Sequence, residues 1–148
     1  MKTPVQGMVP LLQVYDMPTS LRFYRDRLGF EVVGSSGPGD DVNWVLLRLN
    51  RVELMLNTAY ERPHRPATPD TARTAAHQDV TLYIGCADVE AACQELRSKG
   101  IEVQEPKIAP YGMKQLGVRD PDGYGLCLQW PVTEAAREYW RSWYGVDV

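Results

Sequence analysis

The feature that most constrains the fold is an internal repeat. A short apolar run, a helical stretch closed by glycine and three further strand-like runs occur twice within 148 residues. The copies even share wording, Gly29-Phe30-Glu31-Val32 against Gly100-Ile101-Glu102-Val103, each directly after a helix stop. In the first copy Met8 to Val14 is short and almost continuously apolar, as a buried strand is. Asp16 and Pro18 mark a helix start, Leu21, Tyr24 and Leu28 recur at helical spacing, and Gly29 stops the helix. Phe30 to Val33, Asn43 to Leu49 and Val52 to Leu56 read as strands, the last two joined at Asn50-Arg51. The second copy runs from a strand at Val80 to Ile84 into a helix capped by Asp88, with Val89, Cys93 and Leu96 on its apolar face and Gly100 at its end. Strands at Ile101 to Val103, Met113 to Val118 and Gly125 to Trp130 complete it. The period is too long for a solenoid unit, so two paired βαβββ modules are expected.

The last hairpin turns at Asp120-Pro121-Asp122-Gly123, where proline presets φ and glycine accepts a positive φ. Val118, Leu126, Leu128 and Trp130 share the parity expected to face a helix layer, which leaves Gly125, Cys127 and Gln129 on the other face. The chain divides into a first module over residues 1–60, a linker or mobile flap over 61–78, a second module over 79–131 and a helical tail over 132–148. The linker holds Pro63, Pro66, Pro69 and both histidines, with little apolar periodicity. In the tail Thr133 caps a helix with Glu134 in its first turn, and Tyr139, Trp140, Trp143 and Tyr144 make it aromatic enough to pack on the chain or to close over a ligand.

A formal net charge of −3 argues against a nucleic-acid or anionic-membrane surface, both of which need dense Lys/Arg fields. The three cysteines, Cys86, Cys93 and Cys127, are odd in number and show no CxxC spacing. A reduced cytoplasmic setting fits them. No apolar run approaches a membrane span, and the opening MKTPVQGM has no apolar core of a secretion signal.

Two segments, VPLLQVYDMPTSLRFYRDRLGFEVV from Val9 to Val33 and GMKQLGVRDPDG from Gly112 to Gly123, resemble the opening and the ending of the vicinal oxygen chelate superfamily. That superfamily holds glyoxalase I, extradiol dioxygenases and bleomycin-resistance proteins, and with the repeat the resemblance covers nearly all of residues 8–131. It implies an α+β fold in which two βαβββ modules curve mixed sheets around a cavity with helices outside. Function then lies in the cavity rather than in the fold.

In metal-dependent members the resemblance places one ligand on the first and last strand of each module, here Val9, Glu53, Thr81 and Cys127. Only Glu53 is a good donor for the hard ions of such enzymes; Val9 cannot donate and Cys127 is soft. A register shift of two residues brings in Leu11, Met55, Tyr83 or Gly125 and rescues nothing. His64 and His77 read as solvated loop histidines, and no histidine is placed to activate Cys127 as a nucleophile. No catalytic residue is assigned.

What the parity leaves facing inward is Val9, Leu11, Gln13, Trp44, Glu53, Met55, Asn57, Thr81, Tyr83, Gln115, Cys127 and Gln129. Apolar area mixed with a few amides and hydroxyls suits a sizeable organic ligand, with Trp44 able to stack on a flat ring. The expected function is metal-independent, cofactor-free sequestration of an antibiotic or other natural product, as in bleomycin-resistance proteins. The alternative is a lyase, isomerase or dioxygenase of the same fold that uses a divalent metal with atypical ligands. Pro10 in the first strand, where similar bleomycin-resistance proteins exchange an N-terminal arm, adds the expectation of a homodimer.

Overall fold

The computed structural model describes Pro4 and residues 7–145, with the side chains of Trp143 and Tyr144 outside the described set. The part of the N-terminal arm ahead of Gly7, other than Pro4, lies outside it too. Eight strands form two four-stranded mixed sheets, and the chain divides into two compact units, Met1–Pro69 and Asp70–Val148. The α+β class and the βαβββ order of each unit are those the repeat predicts.

In the first unit β1 (Leu11–Val14) leads to α1 (Met17–Leu21), followed by β2 (Glu31–Ser35), β3 (Trp44–Leu49) and β4 (Val52–Thr58). The sheet order is β1-β4-β3-β2, with β1 parallel to β4 and the other pairs antiparallel. Asp16 caps α1 as expected: its Oδ2 accepts from the Thr19 amide at 2.9 Å, satisfying a donor the helix itself leaves open. The helix then widens into a π-type turn over Arg22–Arg27, where the Leu28 amide reaches back to the Phe23 carbonyl at 3.0 Å. One face of the sheet, carrying Leu12, Val14, Val45, Leu47, Leu54 and Leu56, is buried together with Met17, Leu21 and Tyr24 of the helix. Each such side chain contributes about 1.5–3 kcal/mol by leaving water. Tyr24 also meets Phe23 and Phe30 edge to face at 5.1 and 5.9 Å.

The second unit orders α2 (Thr71–His77), β5 (Thr81–Gly85), α3 (Val89–Ser98), β6 (Lys107–Ile108), β7 (Met113–Arg119), β8 (Gly125–Pro131) and α4 (Glu134–Tyr144). Its sheet order, β5-β8-β7-β6, repeats that of the first unit. Val89, Cys93 and Leu96 of α3 are buried, as are Leu116, Val118 and Leu126 of the sheet. The edge strand differs from the expectation at Ile101 to Val103. The Ile101 amide instead closes α3 by bonding the Leu96 carbonyl at 2.9 Å, and pairing with β7 begins only after Pro106, at Lys107 opposite Gln115. Proline has no amide for a ladder, so the pairing does not run back through Pro106.

The segment read as a linker is divided between the units. Its first half is held in the first unit, where Arg65 pairs with Asp16 at 2.6 Å and the Tyr15 hydroxyl donates to the Pro66 carbonyl at 2.6 Å. Burial alone would raise the Asp16 carboxyl, but the Thr19 hydrogen bonds and the Arg65 guanidinium outweigh it and hold it below 3.8. Its second half is α2, capped by Asp70, whose Oδ1 accepts from the Ala72 amide at 2.9 Å. Among the described residues no helix is long and apolar enough to cross a membrane.

Candidate functional site

Strand alternation gives each sheet one buried face and one open face; the residues singled out from sequence that lie on strands have the open-face parity, although Cys127 is buried there and Val9 lies ahead of β1. On the first sheet the register sets Leu11 beside Met55 and Leu46, Gln13 beside Asn57, and Asn57 beside Trp44. All but Leu11, which is exposed, are half-buried, whereas their chain neighbours Leu12, Leu54 and Leu56 are in the core. The Asn57 amide donates to Gln13 Oε1 at 3.4 Å and to the Thr58 carbonyl at 3.0 Å, which fixes its orientation. The Trp44 indole lies against Gly34, where a Cβ would stand 3.3 Å from the ring. Val9 precedes β1 and is half-buried.

Glu53 has a partner that sequence reasoning missed. Arg48 Nε and Nη2 donate to Glu53 Oε1 at 2.9 and 2.6 Å across the β3–β4 ladder. The signal was available, because a hairpin centred on Asn50-Arg51 pairs residue 48 with residue 53. The carboxylate is therefore already neutralised.

On the second sheet Thr81, Tyr83 and Gly85 of β5 are exposed and stand beside Gly125, Cys127 and Gln129 of β8. Gln115 of β7 faces Gln129, and its Nε2 donates both to Gln129 Oε1 at 2.9 Å and to the Tyr111 hydroxyl at 2.8 Å. The Thr81 hydroxyl sits 2.6 Å from where a Cβ on Gly125 would be, so glycine there permits the close approach. Cys127 is buried, and that desolvation pushes its thiol pKa up, away from thiolate chemistry.

The same face carries a recess of about 530 Å³ whose opposite wall is α4. Tyr83, Tyr111 and Tyr139 line it with Met113, Gln129 and Trp140. Of these, sequence singles out Tyr83 and Gln129 as inward-facing and Tyr139 and Trp140 as tail aromatics able to pack or to close over a ligand, but not Tyr111 or Met113. Trp140 belongs to the tail's packed side: it is 6% exposed, its ring centroid lies 5.6 Å from that of Trp130, and Met113 and Ala136 complete the cluster.

His77 is not a solvated loop residue. It ends α2, stacks on Tyr124 at 4.1 Å with ring planes 11° apart, and places Nδ1 2.8 Å from the Asp122 carbonyl. His64 is exposed in the short 3₁₀ turn Arg62–His64.

The four positions that the sequence resemblance assigns to metal ligands carry side chains that do not suit a hard divalent ion. Val9 offers no lone pair on its side chain, Thr81 a neutral hydroxyl, Cys127 a buried neutral thiol, and Glu53 a carboxylate bound to Arg48. Among the described residues no three His, Cys, Asp or Glu side chains come together as a cation site.

The model of the Glyoxalase/Bleomycin resistance protein/Dioxygenase superfamily matches residues 8–128. No curated protein matches the chain. Among solved structures, TnmS3, an antibiotic binding protein from Streptomyces sp. CB03234, is 25% identical with a TM-score of 0.61, covering 87% of this chain and 99% of its own. A glyoxalase/bleomycin resistance protein/dioxygenase from Nocardioides is 19% identical with a TM-score of 0.65, covering 90% and 88%. TioX from Micromonospora sp. ML1 is 14% identical with a TM-score of 0.64, covering 85% and 100%. The last two likenesses concern the fold alone.

Proposed function

This chain belongs to the Glyoxalase/Bleomycin resistance protein/Dioxygenase superfamily, and we propose that within it the protein is a metal-independent binder that sequesters an antibiotic or a comparable natural product. The observation that carries this reading is the donor set at the four ligand positions. A divalent ion needs three or four hard donors to displace water and polarise a substrate, and Val9, Thr81, Cys127 and an Arg48-paired Glu53 supply none that is free and charged. What the open faces do supply is Leu11, Met55 and Trp44 for apolar area and Gln13, Asn57, Gln115 and Gln129 for orientation. That composition suits binding of an organic molecule better than its conversion. TnmS3, at 25% identity, is itself an antibiotic binding protein, which supports the ligand class.

The test is a thermal-shift panel of antibiotics, aldehydes and catechols, run with and without chelator. A true ligand at a hundredfold excess over its Kd raises stability by about 2.7 kcal/mol, hence Tm by roughly 5–10 °C, and the shift is expected to survive the chelator. Stoichiometric metal in protein purified without chelator, with ligand binding lost on its removal, would favour the lyase or dioxygenase alternative instead.

The reading includes a homodimer in a reducing cytoplasm. In the first sheet β1 and β2 are edge strands, and Val32 and Val33 on β2 are 38% and 39% exposed, apolar area that a second copy would cover. The three cysteines are free thiols. Light scattering at micromolar concentration is expected to give twice the chain mass, and a monomeric mass would remove this part of the reading.

A further inference from the structure

We infer that the recess between α4 and the open face of the second sheet is a subsite for an uncharged, flat aromatic ring system that carries a hydrogen-bond acceptor at its edge. The inference rests on the ligand-binding reading above and narrows it to a place and a chemical class.

Three observations lead there. The first is the wall. Tyr83, Tyr111 and Tyr139 come from a strand, a loop and a helix, yet all three border one cavity and remain 60%, 61% and 59% exposed. Phenol rings left that open around an apolar floor of Met113 and Trp140 present faces for stacking rather than core packing. The second is charge. Among the described residues the lining contains no carboxylate, ammonium, guanidinium or imidazole. A charged ligand group placed there would lose water without gaining a partner. The third is polarity at one edge. Gln115 Nε2 donates to both Tyr111 Oη and Gln129 Oε1, so these two oxygens are already acceptors. Each oxygen thus has one acceptance filled, while the Tyr111 hydroxyl hydrogen and the Gln129 amide hydrogens remain to be donated to a ligand. A volume of about 530 Å³ admits several fused rings.

The recess straddles the end of the family match. The family match ends at residue 128, whereas Gln129, Tyr139 and Trp140 lie beyond it. The helix that closes the recess is thus added to the part of the chain that the superfamily model describes.

Calorimetric titration of the full chain tests the class directly with three probes of one shape: hydroxyphenanthrene, its fully hydrogenated alcohol and a phenanthrene carboxylate. Hydroxyphenanthrene is expected to bind at least tenfold tighter than either of the others. Tyr83→Ala and Tyr139→Ala are each expected to weaken it roughly tenfold, while Ile108→Ala, on the edge strand and outside the recess, leaves it unchanged. The two tyrosines are exposed enough that folding survives their loss, and an unshifted Tm checks this. Absence of hydroxyphenanthrene binding, equal binding of the saturated alcohol or the carboxylate, or unchanged affinity in both tyrosine variants would each overturn the inference. An antibiotic from the thermal-shift panel whose binding ignores both variants would overturn it too while leaving the broader reading intact. A panel with no ligand at all would remove the broader reading instead.

Discussion

Replacing Trp140 by alanine is expected to cost about 3–5 kcal/mol and to lower Tm by on the order of 10 °C, the effect of emptying a buried aromatic site. The reason lies in what α4 depends on. The helix is 11 residues long, and peptides of that length are marginal helices in water. Its caps help: Thr133 Oγ1 accepts from the Ala136 amide, Glu134 sits in the first turn, and Gly145 closes the end in the left-handed conformation. Together such caps contribute only about 1–3 kcal/mol, so the order of α4 rests mainly on Trp140 against Trp130, Met113 and the bare backbone of Gly85. Gly85 is part of the same device, because a Cβ there would stand 3.0 Å from the indole. Tyr139→Ala, one residue earlier and outward, is expected to change Tm by less than about 2 °C. A Trp140→Ala protein with unchanged Tm, or one that melts no earlier than Tyr139→Ala, would show that the tail does not support the second unit. A tail held in this way is expected to act as a wall: a chain ending at residue 132 should lose stability as well as any ligand contacts, whereas loss of binding with unchanged stability would mark the tail as a lid.

The parts of the fold that sequence made legible are those encoded by near neighbours. Alternation in Val45, Leu47, Leu54 and Leu56 set the buried face of the first sheet, and Asp16, Asp88 and Thr133 cap the helices they were read to cap. Gly29 and Gly100 end helices with positive φ of 85° and 74°. What escaped notice is held by residues far apart in the chain. The seven residues of α2 have no apolar stripe, so nothing in their periodicity announces a helix; Asp70 caps them, and Tyr124 and Asp122, some 45 residues on, hold His77 at the end. Tyr111 escaped for the same reason. It borders one recess with Tyr139, next to the place where Gly112 lets Thr133 approach to 2.1 Å from the position of a Cβ and the Val132 amide bonds the Gly112 carbonyl. Strand parity identified the open faces, but it could not reveal that a helix outside the repeat would wall one of them.

The same long-range docking makes Gly123 a position outside the core where a single methyl group is expected to do heavy damage. The Asp120-Pro121-Asp122-Gly123 turn is built tightly: Asp120 Oδ1 accepts from the amides of Asp122 at 3.0 Å and Tyr124 at 2.8 Å, and the Gly123 amide bonds the Asp120 carbonyl at 3.1 Å. Gly123 closes it at φ +92°, where an L side chain is strained by about 1–2 kcal/mol. A Cβ would also stand 2.4 Å from the Thr74 carbonyl oxygen, a backbone atom that cannot rotate away. Either the turn or α2 must move, and forcing such an overlap costs about 1–3 kcal/mol more. Gly123→Ala should therefore lower stability by about 3 kcal/mol, roughly 6–12 °C in Tm. Gly117→Ala is the matched control: the same substitution in the strand ahead of the turn, with no positive φ and nothing within 4 Å of the new methyl, should be neutral within about 1 kcal/mol. The location of the damage is as specific as its size. Hydrogen exchange should speed first in residues 71–78 and at the Tyr124 amide, because the turn and α2 separate before the sheet opens. Equal Tm for the two alanine variants, or faster exchange spread evenly over β7 and β8 with α2 unaffected, would show that the contact at Thr74 is not what holds α2 in place.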